Sequence, residues 1–162
     1  MGAVDHNGHI QAGRGDHAAT DRNRRFEILA QADAEALHLM AEAVLAEDAG
    51  FPIKVTSPPR PGVLMLRMRE PVQGVVFNAG EVLVTEAAAT VGGEPGHGIR
   101  LGREPETALA AAILDAALAA NHPLASRIGA LLDEQAAVIA DRDTYSWQAV
   151  ASTWVEFEEM HQ

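Results

Sequence analysis

Cysteine is absent from the 162 residues. With it go disulfides, zinc–thiolate sites, iron–sulfur clusters and thiol nucleophiles. Lysine is nearly absent as well: eleven of the twelve basic residues are arginine, and the other is Lys54. Twenty-three acidic residues bring the formal net charge to −11. Nucleic acid is therefore excluded as an expected partner, because binding phosphate backbones rests on clustered Lys and Arg. No stretch is long and apolar enough to span a membrane, and the N-terminus lacks the apolar core of a signal peptide. A soluble, cytoplasmic protein is expected, in keeping with the missing cysteine. Aromatic residues number only seven.

What is present suits one domain: 48% of the residues are hydrophobic, enough for a core without metals or crosslinks. Residues 1–20 are polar, rich in Gly and His, and aperiodic, and are expected to form a disordered tail. From Asp21 an apolar helical period begins, with Phe26, Leu29 and Ala30. It resumes after a cap at Asp33 with Leu37, Met40, Val44 and Leu45, and stops at Gly50. Two helices are predicted. Residues 54–56 are then extended, and Ser57-Pro58-Pro59-Arg60-Pro61-Gly62 is read as a turn. Residues 63–69 alternate as a half-buried strand. Further strands are expected over 74–78, 81–91 and 96–101, separated by Ala79-Gly80 and by Gly92-Gly93-Glu94-Pro95. Such short connections imply antiparallel pairing. Pro105 suits a first helical turn, and residues 107–120 form an alanine-rich, almost wholly apolar helix that should lie close against the sheet. Asn121-His122-Pro123 breaks it, and a second amphipathic stripe follows from Leu124 to Ile139.

The expected class is α+β: N-terminal helices, an antiparallel sheet of about four to five strands, then two or three C-terminal helices. Trp147, Val150, Trp154 and Phe157 are spaced to share one helical face. Such a helix, within residues 143–162, either docks on a partner or packs on its own core.

Chemistry is harder to find. His6, His9 and His17 with Asp5 and Asp16 are a poor metal site, because ordering a tail opposes binding, and no metal is expected. Gly92-Gly93-Glu94-Pro95-Gly96-His97-Gly98 has neither the Lys nor the following helix of a phosphate-binding loop, so it is read as a hairpin turn that leaves His97 accessible. Asp115 is placed on the exposed stripe of its helix, with a buried, partnered carboxylate as the functional alternative. The serines form no nucleophile motif. No catalytic residue is assigned. Arg60, Arg67, Arg69, Arg100 and Arg103 fall in the middle third, and Arg suits bidentate pairing with carboxylate or phosphate. Arg103, at a strand–helix junction, is placed to meet an anion or a partner.

One run is distinctive: Gly98-Ile99-Arg100-Leu101-Gly102-Arg103-Glu104, followed by Glu106, Ala108, Ala111-Ala112, Leu114 and Asp115-Ala116. Together with Gly80-Glu81-Val82-Leu83-Val84-Thr85 and the opening helix of residues 22–32 (RNRRFEILAQA), it resembles the PhnG family of the bacterial carbon–phosphorus lyase machinery. The resemblance implies one PhnG-like domain over residues 21–162. It also implies an accessory role beside PhnI, PhnH, PhnJ and PhnL type subunits, in a complex that uses MgATP. That complex transfers alkylphosphonate to the ribose of ATP with release of adenine, giving a ribose 1-phosphonate 5-triphosphate. The subunit is expected to bind no cofactor alone and not to be catalytic alone. Arg100, Arg103, His97, Trp147 and Trp154 are its expected ligand or partner contacts. The alternative is a stand-alone binding or regulatory domain for a phosphate-containing small molecule.

Overall fold

The computed structural model describes residues 14–47, 50–70 and 72–151, with side chains from residue 21 onward. Two helices, α1 (Arg14–Gln31) and α2 (Ala34–Ala46), come first. Helix α1 starts within the stretch expected as a tail. The junction follows from Asp33, whose carboxylate accepts the Ala36 N–H at 2.9 Å and caps α2. The side-chain oxygen of Gln135 accepts the Asp33 N–H at 2.8 Å.

Three antiparallel strands follow in the order β1 (Ile53–Arg69), β2 (Val76–Val91) and β3 (Glu94–Leu101). The expected four to five strands are thus corrected to three among the described residues, since two pairs of predicted strands are each one long strand. The proline cluster does not turn. β1 is an edge strand, and a proline without an N–H is tolerated at a sheet edge or a bulge. The register slips between Val55 and Ser57 and again between Ser57 and Arg60, while Pro61 stays paired with Thr85. Likewise Ala79-Gly80 lies inside β2, where a further slip between Leu66 and Arg67 absorbs it. The turn predicted over Gly92-Gly93-Glu94-Pro95 is present but shorter: Gly92 and Gly93 have positive φ, Val91 pairs with Glu94 across a two-residue loop, and Glu94, Pro95 and His97 belong to β3 rather than to the turn.

Helix α3 (Pro105–Ala119) is the centre of the molecule, with ten of its fifteen residues buried. It packs on β2 and β3, with α2 and α1 beside it. The closeness of helix and strand explains two features of the sequence at once. A Cβ on Gly96 would overlap the Ala112 carbonyl oxygen and the Ala116 nitrogen, and one on Gly98 would overlap the Ala108 carbonyl oxygen. Two strand residues advance roughly 6.7 Å and four helical residues about 6 Å. Glycine at every second strand position therefore matches alanine at every fourth helix position, and the two backbones touch.

Around this seam Leu29, Leu37, Val44, Leu114 and Ile128 are almost completely buried, each contributing about 1.5–3 kcal/mol of apolar burial. Asn121 takes a left-handed turn at the end of α3. His122 is buried there: its Nδ1 accepts the Leu124 N–H at 3.2 Å, and its ring meets Phe51 edge-on at 5.1 Å. Helix α4 (Ala125–Ala151) then runs unbroken into the segment expected to hold a docking helix. Two helices therefore follow the sheet among the described residues.

Candidate functional site

Two regions stand out. The first is a recess of about 590 Å³ where α1, all three strands and α3 meet, with Arg22, Ser57, Arg60, Glu86, His97 and Asp115 among its lining residues. Asp115 organises it and corrects the expectation of an exposed carboxylate, being only 1% exposed. Its Oδ1 accepts from Arg25 Nε at 2.8 Å, and its Oδ2 accepts the His97 backbone N–H at 3.1 Å. A buried carboxylate needs such partners, since desolvation of an unpaired charge costs several kcal/mol, on the order of 3–5 when one member is removed. Asp115 thereby fixes α1, β3 and α3 to one another. Arg22 stands further off, 3.9 Å from Oδ2 and half-exposed. Across the recess Arg60 pairs with Glu86 Oε1 at 2.7 Å, bridging β1 and β2.

The expected contact residues do not converge. His97 reaches the recess and its side chain is exposed. Arg100, by contrast, is buried within the fold: its Nη1 donates to the Leu29 and Ala32 carbonyls at 3.2 and 2.8 Å, and its Nε donates to Glu104 at 2.9 Å. The guanidinium supplies donors to carbonyls left open where α1 ends. Arg103 is exposed before the first turn of α3 and has no hydrogen-bond or ion-pair partner among the described residues. The junction behind it is held by Thr85, whose hydroxyl donates to the Gly102 carbonyl at 2.7 Å and accepts the Glu104 N–H at 3.1 Å. Trp147 is 67% exposed on α4, so this part of the aromatic face does not pack on the chain's own core. Trp154 lies outside the described residues, as do His6 and His9; among the described residues no group of three or more His, Asp or Glu is placed to hold a metal.

The second region went unnoticed in the sequence. Beyond the pair Val84–Leu101, where β3 ends, β1 and β2 continue together as a two-stranded arm. Leu64, Leu66 and Met68 point to one side of β1 and Val63 and Met65 to the other by the pleat, and all five are exposed. Val82, Leu83 and Phe77 on β2 are exposed too. The tip is well made: the Glu70 carboxylate accepts the N–H groups of Val72 and Gln73 at 2.6 and 2.7 Å, and Arg69 donates to the Gly74 carbonyl at 2.8 Å. A ribbon with apolar side chains on both faces and no third strand beside it among the described residues is a protein-binding element or a hazard of aggregation. No helix of the described residues is long and apolar enough to cross a membrane.

The model of the family described as "Phosphonate metabolism protein PhnG" matches residues 20–162. The chain is also similar to the alpha-D-ribose 1-methylphosphonate 5-triphosphate synthase subunit PhnG of Rhizobium meliloti (strain 1021), with 31% identity over 143 residues, 88% of this chain and 89% of that relative.

Proposed function

The chain belongs to the PhnG family of phosphonate metabolism, and from that premise we propose that it is an accessory subunit of a ribose 1-methylphosphonate 5-triphosphate synthase. In this reading it works in the cytoplasm with PhnI, PhnH, PhnJ and PhnL type subunits. The assembly transfers alkylphosphonate from solution to the ribose of MgATP and releases adenine, and this chain contributes surfaces rather than a reacting group. The observation that carries the reading is the two-stranded arm, apolar on both faces and exposed throughout. Burying the exposed half of Leu64, Leu66 and Met68 against a neighbour is worth about 1 kcal/mol each, before the cost of association. The exposed Trp147 on α4 and the exposed Arg103 beside α3 are further contact points. Both lie away from the core.

Co-expression tests the assignment. The chain should be poorly soluble alone and should be rescued by PhnI and PhnH type subunits, with which it co-purifies in fixed ratio. Replacing Leu64, Leu66 and Met68 with Asp together should reduce that co-purification at least tenfold. Undiminished recovery of the triple variant with its partners would remove the arm from the interface.

A further inference from the structure

Where β3 stops, its row in the sheet is left vacant. The last bond of that row is the Gly102 N–H donating to the Leu83 carbonyl at 2.8 Å. Gly102 then takes a positive φ, and the chain turns away into α3. From Leu83 back to Val76, β2 pairs with β1 alone among the described residues. Along a strand, successive residues direct their backbone N–H and C=O to opposite sides, so the bond to Gly102 fixes which side each residue addresses. Leu83 faces the β3 side, and so does Glu81, two residues back with no slip between them. Pro61 agrees independently. It stands opposite Thr85 and has no N–H to donate, which suits a pair whose backbone groups point away from each other. By the same count Met65, opposite Glu81, directs its backbone groups to the outer side of β1.

We infer that a partner subunit adds an extended segment of its own in the vacated row, beside residues 76–83 of β2, with the Glu81 N–H and C=O as the central bonds. The inference rests on the assembly reading and names the kind of contact that the arm makes. Main-chain groups in such an edge are met by another strand, and side chains on its two faces select which one. On one face Val82 and Phe77 stand beside Leu64 and Met68 of β1, because the slip between Leu66 and Arg67 brings Phe77 to that side. Leu101, 66% exposed at the end of β3, extends the same apolar surface. On the other face lies Glu81, exposed and the one charged residue among 76–83. The incoming segment therefore alternates: apolar side chains toward Val82 and Phe77, and a lysine or arginine opposite Glu81. The outer edge of β1 is the poorer seat. Pro58, Pro59 and Pro61 remove three N–H groups at its body end, where the register also slips twice.

The test uses the full chain co-expressed with its tagged partner subunits. Glu81→Pro removes the N–H that faces the vacated row and leaves the β1–β2 bonds in place. Met65→Pro does the same to the outer edge of β1 and controls for the insult to the arm. Glu81→Pro should reduce co-purification at least tenfold and Met65→Pro less than twofold, while Glu81→Lys, which keeps the N–H, should reduce it several-fold through its charge. Loss of partners by the triple Asp variant of Leu64, Leu66 and Met68, with full recovery of Glu81→Pro, would overturn strand addition and leave the assembly reading standing. Full recovery of both would remove the arm itself from the interface. Equal loss in Glu81→Pro and Met65→Pro would also overturn strand addition at β2. So would a dimer of the chain alone that Glu81→Pro dissolves, since a second copy would then occupy the row.

Discussion

Strand β2 passes through two environments. Residues 84–91 are all buried or half-buried, whereas residues 76–83 are exposed at every position. The buried half is built from small side chains, Val84, Thr85, Ala87, Ala89 and Val91, because α3 presses directly on it. The exposed half carries Phe77, Val82 and Leu83, with no helix over them among the described residues. Apolar character alone therefore does not say which half is core. What separates the halves is the cover: α3 packs on β2, and burial ends where β3 ends, at the pair Val84–Leu101.

The sharpest way to break this comparison is at the seam. Gly98→Ala should destabilise the fold by about 3 kcal/mol or more, because its Cβ collides with backbone atoms of α3 that cannot move independently. A urea unfolding midpoint unchanged from the wild type would show that the helix is not so close. Next in size comes Asp115→Ala, which strands Arg25 and the His97 N–H. A loss of about 3 kcal/mol is expected, with Asp115→Asn milder because an acceptor remains for the N–H. Equal unfolding curves for Asp115→Ala and the wild type would sink the carboxylate's role as a tie between elements. The smallest effect on stability belongs to the arm. Leu64→Ser, Leu66→Ser and Met68→Ser combined should shift the unfolding free energy by within about 0.5 kcal/mol, while raising solubility. A cooperative loss of structure in that variant would mean the arm packs on the body after all.

Much of the body was legible in the sequence because the signals were local. Asp33 as a cap and Pro105 in a first turn act within a few residues and are found as expected, and so is the turn at Gly92-Gly93, although Glu94 and Pro95 join β3. The misreadings arose where neighbours distant in sequence decide. Whether Pro58, Pro59 and Pro61 break a strand depends on whether that strand has an outer partner, and β1 has none among the described residues. Whether Asp115 is exposed depends on which way α3 faces in a helix buried nearly all round, where an amphipathic stripe gives no orientation. The recess was largely hidden because Arg22, Ser57 and Arg60 join His97 only through tertiary packing. One clue was available: Gly96 and Gly98 at strand spacing and Ala108, Ala112 and Ala116 at helical spacing together announce a close helix–strand contact. Arg100, expected as a contact for others, closes a helix end within the fold, a role no local pattern distinguishes from recognition.

The ties that hold α1 also set an order of events during synthesis. Its Arg25 meets Asp115, 90 residues later; the Leu29 and Ala32 carbonyls receive Arg100, 71 and 68 residues later; and the Asp33 N–H is met by Gln135, 102 residues later. Helix α1 thus leaves the ribosome well before the residues that seat it, and contacts between residues so remote close slowly. Until α3 and the start of α4 have emerged, α1 and α2 lack these partners, although the residues of the apolar ribbon of β1 and β2 have already been synthesised. A nascent chain of this design is most vulnerable in that interval, when a waiting subunit would serve it best.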